Sequence, residues 1–200
     1  MSTPRDVVLV DAGGTNIGSV RYALERLGVH ATTSDDGGRI RSASHVILPG
    51  VGAAGPGMAR LRASGLVDVL RGLRQPVLGV CLGMQLLFEH SEEGDVDCLG
   101  VVRGRVRRLV PGGQRRVPHM GWNRLERRRD DALFAGLEPV AHAYFVHGYA
   151  APADASTLAS VDYGAPLAAV VRAGNFVGMQ FHPERSAAVG ARLLANFLAA

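Results

Sequence analysis

The run Pro76-Val77-Leu78-Gly79-Val80-Cys81-Leu82-Gly83-Met84-Gln85-Leu86-Leu87-Phe88 constrains this chain more than any other stretch. An apolar segment of strand length meets a second apolar segment of helical character, and a cysteine stands at the junction with a glycine two positions to either side. A side chain thrust out of a sharp strand-to-helix turn leaves room only for small residues at those flanking positions, which is the mechanics of a nucleophile elbow. A thiol so placed lies at a helix N-terminus, where unpaired N–H groups and the helix dipole favour the thiolate that attacks a carbonyl. The competing reading is a buried structural cysteine acting as a small hydrophobe. A base, an orienting acid and an oxyanion site elsewhere in the chain would decide between them.

The surrounding pattern alternates strands and helices. Val7-Val8-Leu9-Val10 reads as a strand, and Ile17, Val20, Leu24 and Leu27 recur at helical spacing before Gly28. Strands are expected at 29–33, 45–48 and 76–80, with a loop at 34–41 and a helix from Met58 to Leu73 interrupted near Gly65. The second half, from Gly100 to Phe181, breaks into short strands between glycine and proline turns and is expected to be partly antiparallel, and 188–199 reads as a closing amphipathic helix. The expected fold class is α/β: an open, mostly parallel central sheet with helices on both faces and added antiparallel strands. Sites in such folds gather at the carboxyl ends of strands. At 200 residues and 47% hydrophobic, the chain is expected to form a single domain over 1–200.

Composition excludes several chemistries. All 22 basic residues are arginine, so a Schiff-base lysine and a phosphate-loop lysine are absent, and with them aldolase-like catalysis and the usual nucleotide-loop ATPases. The two cysteines, Cys81 and Cys98, show no CxxC or Cys/His metal spacing, so neither a metal nor a cofactor is expected and a reduced, cytoplasmic setting fits best. The polar stretch Met1–Asp6 does not read as a signal peptide, and no apolar run reaches the roughly 18–20 residues of a membrane span.

A thiol nucleophile needs a general base, and the base needs an orienting group. Of the seven histidines, His30, His45, His90 and His142 read as surface or core residues. His182 differs, because it follows the apolar strand Phe176–Phe181 and Pro183 biases it toward extended backbone, projecting the imidazole from a strand end. Glu184, two residues on, is placed to bond the far ring nitrogen and hold the tautomer. The tetrahedral intermediate needs an oxyanion hole, for which the Leu82 N–H directly after the nucleophile is the expected first donor.

Gly79-Val80-Cys81-Leu82-Gly83-Met84-Gln85 and Gln180-Phe181-His182-Pro183-Glu184-Arg185-Ser186 resemble the nucleophile and His/Glu motifs of the class I (triad-type) glutamine amidotransferases, whose fold is flavodoxin-like. The resemblance implies hydrolysis of glutamine, with Cys81 as nucleophile, His182 as acid/base and Glu184 as orienter. Pro49-Gly50-Val51-Gly52 resembles the family's oxyanion strand, which implies Val51 or Gly52 N–H as the second donor; an ordinary helix lead-in is the other reading of that turn. The resemblance also places Gly50, Gln85 and Glu93 around the substrate, whose ammonium and carboxylate require an acid and amide groups. A solvated turn is the other reading of Glu93.

Pro118-His119-Met120-Gly121-Trp122-Asn123, Tyr144-Phe145-Val146-His147-Gly148-Tyr149 and Asp11-Ala12-Gly13-Gly14-Thr15-Asn16 are similar to stretches of one branch, the glutaminase subunits of imidazole glycerol phosphate synthases. The likeness implies a heterodimer in which ammonia passes to a (β/α)₈-barrel cyclase subunit, with Asn16, Trp122, Tyr144 and Arg185 at the interface; packing is the other reading of Trp122, Tyr144 and Arg185, and for Trp122 a place in the core. The chain departs from that branch at Ala12, where tyrosine is usual, at Thr15 (glycine), at Gly148 (a small hydroxyl residue) and at Arg185 (lysine). Arginine retains the charge at 185 but offers a planar fork in place of a point charge. Ten arginines fall between Arg103 and Arg129 against one acid, Glu126. With Trp122 as the only aromatic, the stretch reads as a solvated edge and not as a nucleic-acid platform. A catalytically silent regulatory module and a stand-alone γ-glutamyl or peptide hydrolase remain the other readings of the same motifs.

Overall fold

The computed structural model describes residues 5–11, 17–112 and 115–200. The expectations attached to Ala12, Thr15 and Asn16 lie outside the described residues.

The β-branched run Val7–Val10 forms β1, and the helical periodicity after it forms α1 (Ile17–Glu25), which buries Val20, Ala23 and Leu24. β2 (Ala31–Ser34) follows. The sequence assigns a loop to 34–41, yet α2 (Gly37–Ser42) forms there. Asp36 accepts the Arg39 N–H at 2.6 Å, and this cap together with burial of Ile40 outweighs two poor helix formers at the first turn. β3 (His45–Gly50) leads to α3 (Ala54–Ala63), and Gly65 at φ 64° interrupts the apolar pattern before α4 (Leu66–Arg71).

β4 (Val77–Cys81) ends on the elbow cysteine, but the helix expected through Phe88 is a single turn, α5 (Leu82–Gln85). Tertiary pairing stops it: the carbonyls of Leu86, Leu87 and Phe88 accept N–H groups from residues 99–102 instead of continuing an i to i+4 ladder. A small sheet then forms from β5 (His90–Ser91), β6 (Val96–Asp97), β7 (Arg105–Arg108) and β10 (Tyr149–Ala150), in the order β10-β7-β5-β6. The remaining strands, β8 (His119–Arg127), β9 (Ala141–His147), β11 (Thr157–Asp162), β12 (Pro166–Ala173) and β13 (Phe176–Met179), precede α6 (Ala187–Leu198).

The main sheet runs β2-β1-β3-β4-β13-β12-β11-β8-β9. The first five strands are parallel and the last four are added antiparallel, as the change of pattern in the second half implies. One core packs α1 and α6 against one face through Leu24, Leu194 and Phe197, and a second packs α2, α3 and α4 against the other through Ile40, Leu61 and Leu70. This is the α/β architecture expected from the sequence. Its consequence is local: β3, β4 and β13 lie side by side, with Gly50 opposite Cys81 and Met179 opposite Val80. Residues just past β13 therefore arrive beside the elbow.

Candidate active site

The elbow is a strained corner. Cys81 sits at φ 53°, ψ −109°, which is uncommon for any residue with a Cβ. The turn closes tightly enough that a Cβ on Gly79 would stand 2.6 Å from Gly83 O, and one on Gly83 would overlap Leu48 O. The small flanks expected from the sequence are thus enforced by backbone contacts. Cys81 is 7% exposed, and it opens onto a cleft of about 300 Å³.

His182 takes an extended backbone (φ −95°, ψ 98°) and precedes a 3₁₀ turn, Pro183–Arg185. Its Nδ1 meets Glu184 Oε1 at 2.8 Å, and both side chains are almost wholly buried. The same imidazole is hydrogen-bonded to Cys81. With Nδ1 committed to Glu184, Nε2 is the nitrogen facing the sulfur. Burial disfavours the charged ring, but the hydrogen bonds and charges of Cys81 and Glu184 outweigh it and lift the pKa to about 10. An imidazolium beside the sulfur favours its anionic, nucleophilic form. The backbone around His182 is fixed as firmly: its N–H donates to Tyr144 O at 3.0 Å, and Ser186 Oγ donates to His182 O at 2.7 Å while accepting the Tyr144 N–H at 2.9 Å.

The cleft walls come from four places. Val51 and Gly52 follow β3, Leu82 and Gln85 belong to α5, Glu93 comes from the turn after β5, and 146–149 from the end of β9 onward. Gly52 has φ 105°, a conformation that favours glycine. Leu82 opens α5, so its N–H has no acceptor within the helix. Gln85 is buried and donates from Nε2 to Tyr149 O at 2.9 Å and to Gln180 Oε1 at 3.0 Å. Glu93 Oε2 accepts the Ala54 N–H at 3.0 Å, tying the turn to the start of α3, and burial raises its pKa against that bond. Gly50 lies in the sheet behind this wall, packed on Leu82 and Gly83, and does not line the cleft. Gly148 does line it.

Trp122 and Tyr144 are cross-strand partners on β8 and β9, with ring centroids 6.0 Å apart, and the Arg185 guanidinium lies 5.0 Å from the Tyr144 ring. Trp122 is 55% exposed, so it is not core. All ten arginines of 103–129 are exposed, in keeping with a solvated edge.

Sequence reasoning assigned nothing to His147, His119 or Gln180, although each stands inside a quoted motif. His147 lines the cleft, and its Nε2 meets His119 Nδ1 at 3.1 Å. Burial pulls His119 down to about 4; burial and the neighbouring His119 pull His147 down to about 3, so both rings are neutral. The signal available was the pairing of two apolar strands each carrying one histidine, but its register appears only in the fold.

Residues 8–200 match the glutamine amidotransferase class-I family, and the chain belongs to it. Within that family the chain is 62% identical over 193 residues to the imidazole glycerol phosphate synthase subunit HisH of Xanthomonas campestris pv. campestris (strain 8004). It is 56% identical over 193 residues to the subunit of the same name from Xylella fastidiosa (strain Temecula1 / ATCC 700964), and each comparison covers 96% of both chains. Among solved structures it resembles a glutamine amidotransferase with a TM-score of 0.74 at 24% identity, covering 96% of this chain and 97% of that one. It also resembles PurLQS from Thermotoga maritima, with a TM-score of 0.71 at 21% identity over 99% of each chain. These two likenesses are of fold.

Proposed function

We propose that this amidotransferase hydrolyses glutamine at Cys81 and hands the ammonia to a cyclase subunit that forms imidazole glycerol phosphate and an aminoimidazole carboxamide ribotide in histidine biosynthesis. Cys81 Sγ attacks the side-chain carbonyl carbon, and the oxyanion is met by the Leu82 N–H and by the Val51 or Gly52 N–H. His182 gives its proton to the departing nitrogen, ammonia leaves and a glutamyl thioester remains. Water then attacks the thioester, His182 takes its proton, and glutamate departs as the sulfur is restored. Glu184 holds the Nδ1–H tautomer throughout.

The cleft, at the small end of ligand pockets, suits one amino acid better than a peptide. Both amide hydrogens of Gln85 are already spent on Tyr149 O and Gln180 Oε1, so the group it can offer a ligand is its carbonyl. A carbonyl acceptor and the Glu93 carboxylate together suit the α-ammonium of glutamine. Gly50, inside the oxyanion strand, lets that strand lie close on Leu82 and Gly83. The partner is a (β/α)₈-barrel subunit in a heterodimer, docking over Trp122, Tyr144, Arg185 and Asn16; the names of the relatives and the exposed Trp122 ring against Tyr144 support it. Two free thiols, Cys81 and Cys98, support a cytoplasmic setting. No described helix is long and apolar enough to cross a membrane.

The observation that carries this reading is the meeting of Cys81, His182 and Glu184, from β4 and the turn after β13, with the sulfur and the imidazole lining one cleft and the carboxylate behind the ring. Cys81→Ala tests it. Glutamine hydrolysis should vanish while the complex with the cyclase still turns over on added ammonium; glutamine hydrolysis that survives refutes the assignment.

A further inference from the structure

We infer that Gln180 is a positioning residue for the nucleophile, its side-chain amide donating a hydrogen bond to Cys81 Sγ and thereby aiming and charging the sulfur. Gln180 is fully buried immediately after β13, with Nε2 3.8 Å from Cys81 Sγ. A carboxamide can present either its oxygen or its nitrogen, and the two have opposite effects on a thiolate. Here the orientation is fixed by a chain of bonds that ends on a backbone carbonyl.

Tyr149 O can only accept. It faces Gln85 Nε2 at 2.9 Å and His147 Nδ1 at 2.9 Å, so both must be N–H donors. Gln85 Nε2 carries a second hydrogen and directs it at Gln180, 3.0 Å away, which must answer with Oε1. The Gln180 NH₂ is then the group left facing the sulfur. The other branch agrees: with Nδ1 protonated, neutral His147 accepts at Nε2 from His119 Nδ1–H, and His119 Nε2 accepts from Asn123 Nδ2 at 3.3 Å. Asn123 Nδ2 also donates to Asp162 O at 3.1 Å. Every donor in the chain finds an acceptor, and reversing any one member would set two donors or two acceptors face to face.

The sulfur accordingly has two sets of partners. As a thiol it can donate to Val146 O, 3.9 Å away; as a thiolate it receives hydrogen bonds from Gln180 and from His182. Of the other ionisable groups lining the cleft, His182, His147, Glu93 and Tyr149, the one bonded to the sulfur is His182. Gln180 adds a second donor with no charge of its own, from the opposite residue of the same Gln-Phe-His segment. Two directional donors fix where the sulfur lone pair points as well as its charge.

This inference rests on the reading of Cys81 as nucleophile, and the experiment separates the two. Gln180→Glu keeps an oxygen for Gln85 Nε2 and replaces the donor at the sulfur by a carboxylate oxygen; Gln180→Met removes the donor without bringing charge into the core and stands in if the glutamate variant does not fold. Alkylation of Cys81 by iodoacetamide is followed against pH, with kcat and KM for glutamine measured in the presence of the cyclase. Both variants should titrate to the reactive form at higher pH than the wild type, the glutamate variant more so. kcat should fall roughly tenfold, the worth of one hydrogen bond to a charged group, with KM in the glutamate variant within about threefold of the wild type. A folded variant that keeps the wild-type alkylation profile and kcat overturns the inference, because a residue that merely packs would leave both unmoved. A wild-type protein that shows no glutaminase with its cyclase overturns the functional reading, and the alkylation arm still judges Gln180.

Discussion

Replacing Glu184 by glutamine isolates the electrostatic part of the site from its geometry. The carboxamide oxygen still accepts the His182 Nδ1–H, so the tautomer survives, but the negative charge 2.8 Å from the ring is lost. His182 is held at about 10, against an ordinary 6.5, by Cys81 and Glu184 working against burial. An adjacent opposite charge typically changes proton affinity by about 10- to 1,000-fold, or about 1.4–4 kcal/mol. Because two partners share the work here, the lower half of that range applies, and the alkaline limb of glutaminase turnover, where His182 must still hold the proton it gives to the departing nitrogen, should move to lower pH. kcat should fall by about 10- to 100-fold. Stability follows from the same displacement. A histidine whose folded pKa is raised lends stability that is complete below its unfolded value, near 6.5, and is lost as pH rises through about 10. Urea unfolding should therefore show the wild type more stable than Glu184→Gln at pH 6.5, with the gap closed by pH 10. An unmoved pH profile of turnover together with a kcat reduced less than threefold would refute the reasoning.

Three further outcomes follow from the geometry. Gly83→Ala forces a Cβ into Leu48 O and should cost about 3 kcal/mol or more, read as a drop in the urea midpoint; an unchanged midpoint would mean that the elbow relaxes freely. Glu93→Gln should raise KM for glutamine by about 10- to 100-fold with kcat within about threefold, since the charge acts on binding; an unchanged KM would remove Glu93 from the substrate site. Trp122→Ala, at a ring 55% exposed, should alter stability by less than about 0.5 kcal/mol yet weaken binding of the cyclase by about 2 kcal/mol in calorimetry; equal affinity would move the docking face elsewhere.

How much of this could be read beforehand varies with the range of the interactions involved. The elbow was readable because its constraint is local: Gly79 and Gly83 stand two residues from Cys81, and one turn's geometry dictates both. His182 and Glu184 were readable for the same reason, being neighbours in a proline-stiffened segment. The extent of α5 was not, since residues 99–102 claim the carbonyls that a longer helix would use. Nor was α2, where one capping carboxylate decides between loop and helix. The shortened α5 also revises the electrostatics. Four residues make a weak dipole, so the field at the sulfur comes chiefly from the imidazolium of His182, 101 positions away in sequence and brought there by the pairing of β13 with β4.

The proposed docking face and the candidate site are physically one element. Tyr144 turns its ring outward to Trp122 and Arg185, while its backbone N–H and C=O are bonded to Ser186 Oγ and the His182 N–H. Arg185 and Glu184 are likewise consecutive in the 3₁₀ turn, one reaching the Tyr144 ring and the other the buried imidazole. β9 is thus tied to the His182 segment through a single hydroxyl, since Ser186 Oγ bonds both the Tyr144 N–H and the His182 C=O. A thiol armed by a distant histidine is sensitive to that position in a way that one armed by a long helix dipole would not be. On the proposed reading, a change at the outer face should reach the Cys81–His182 pair through these backbone bonds.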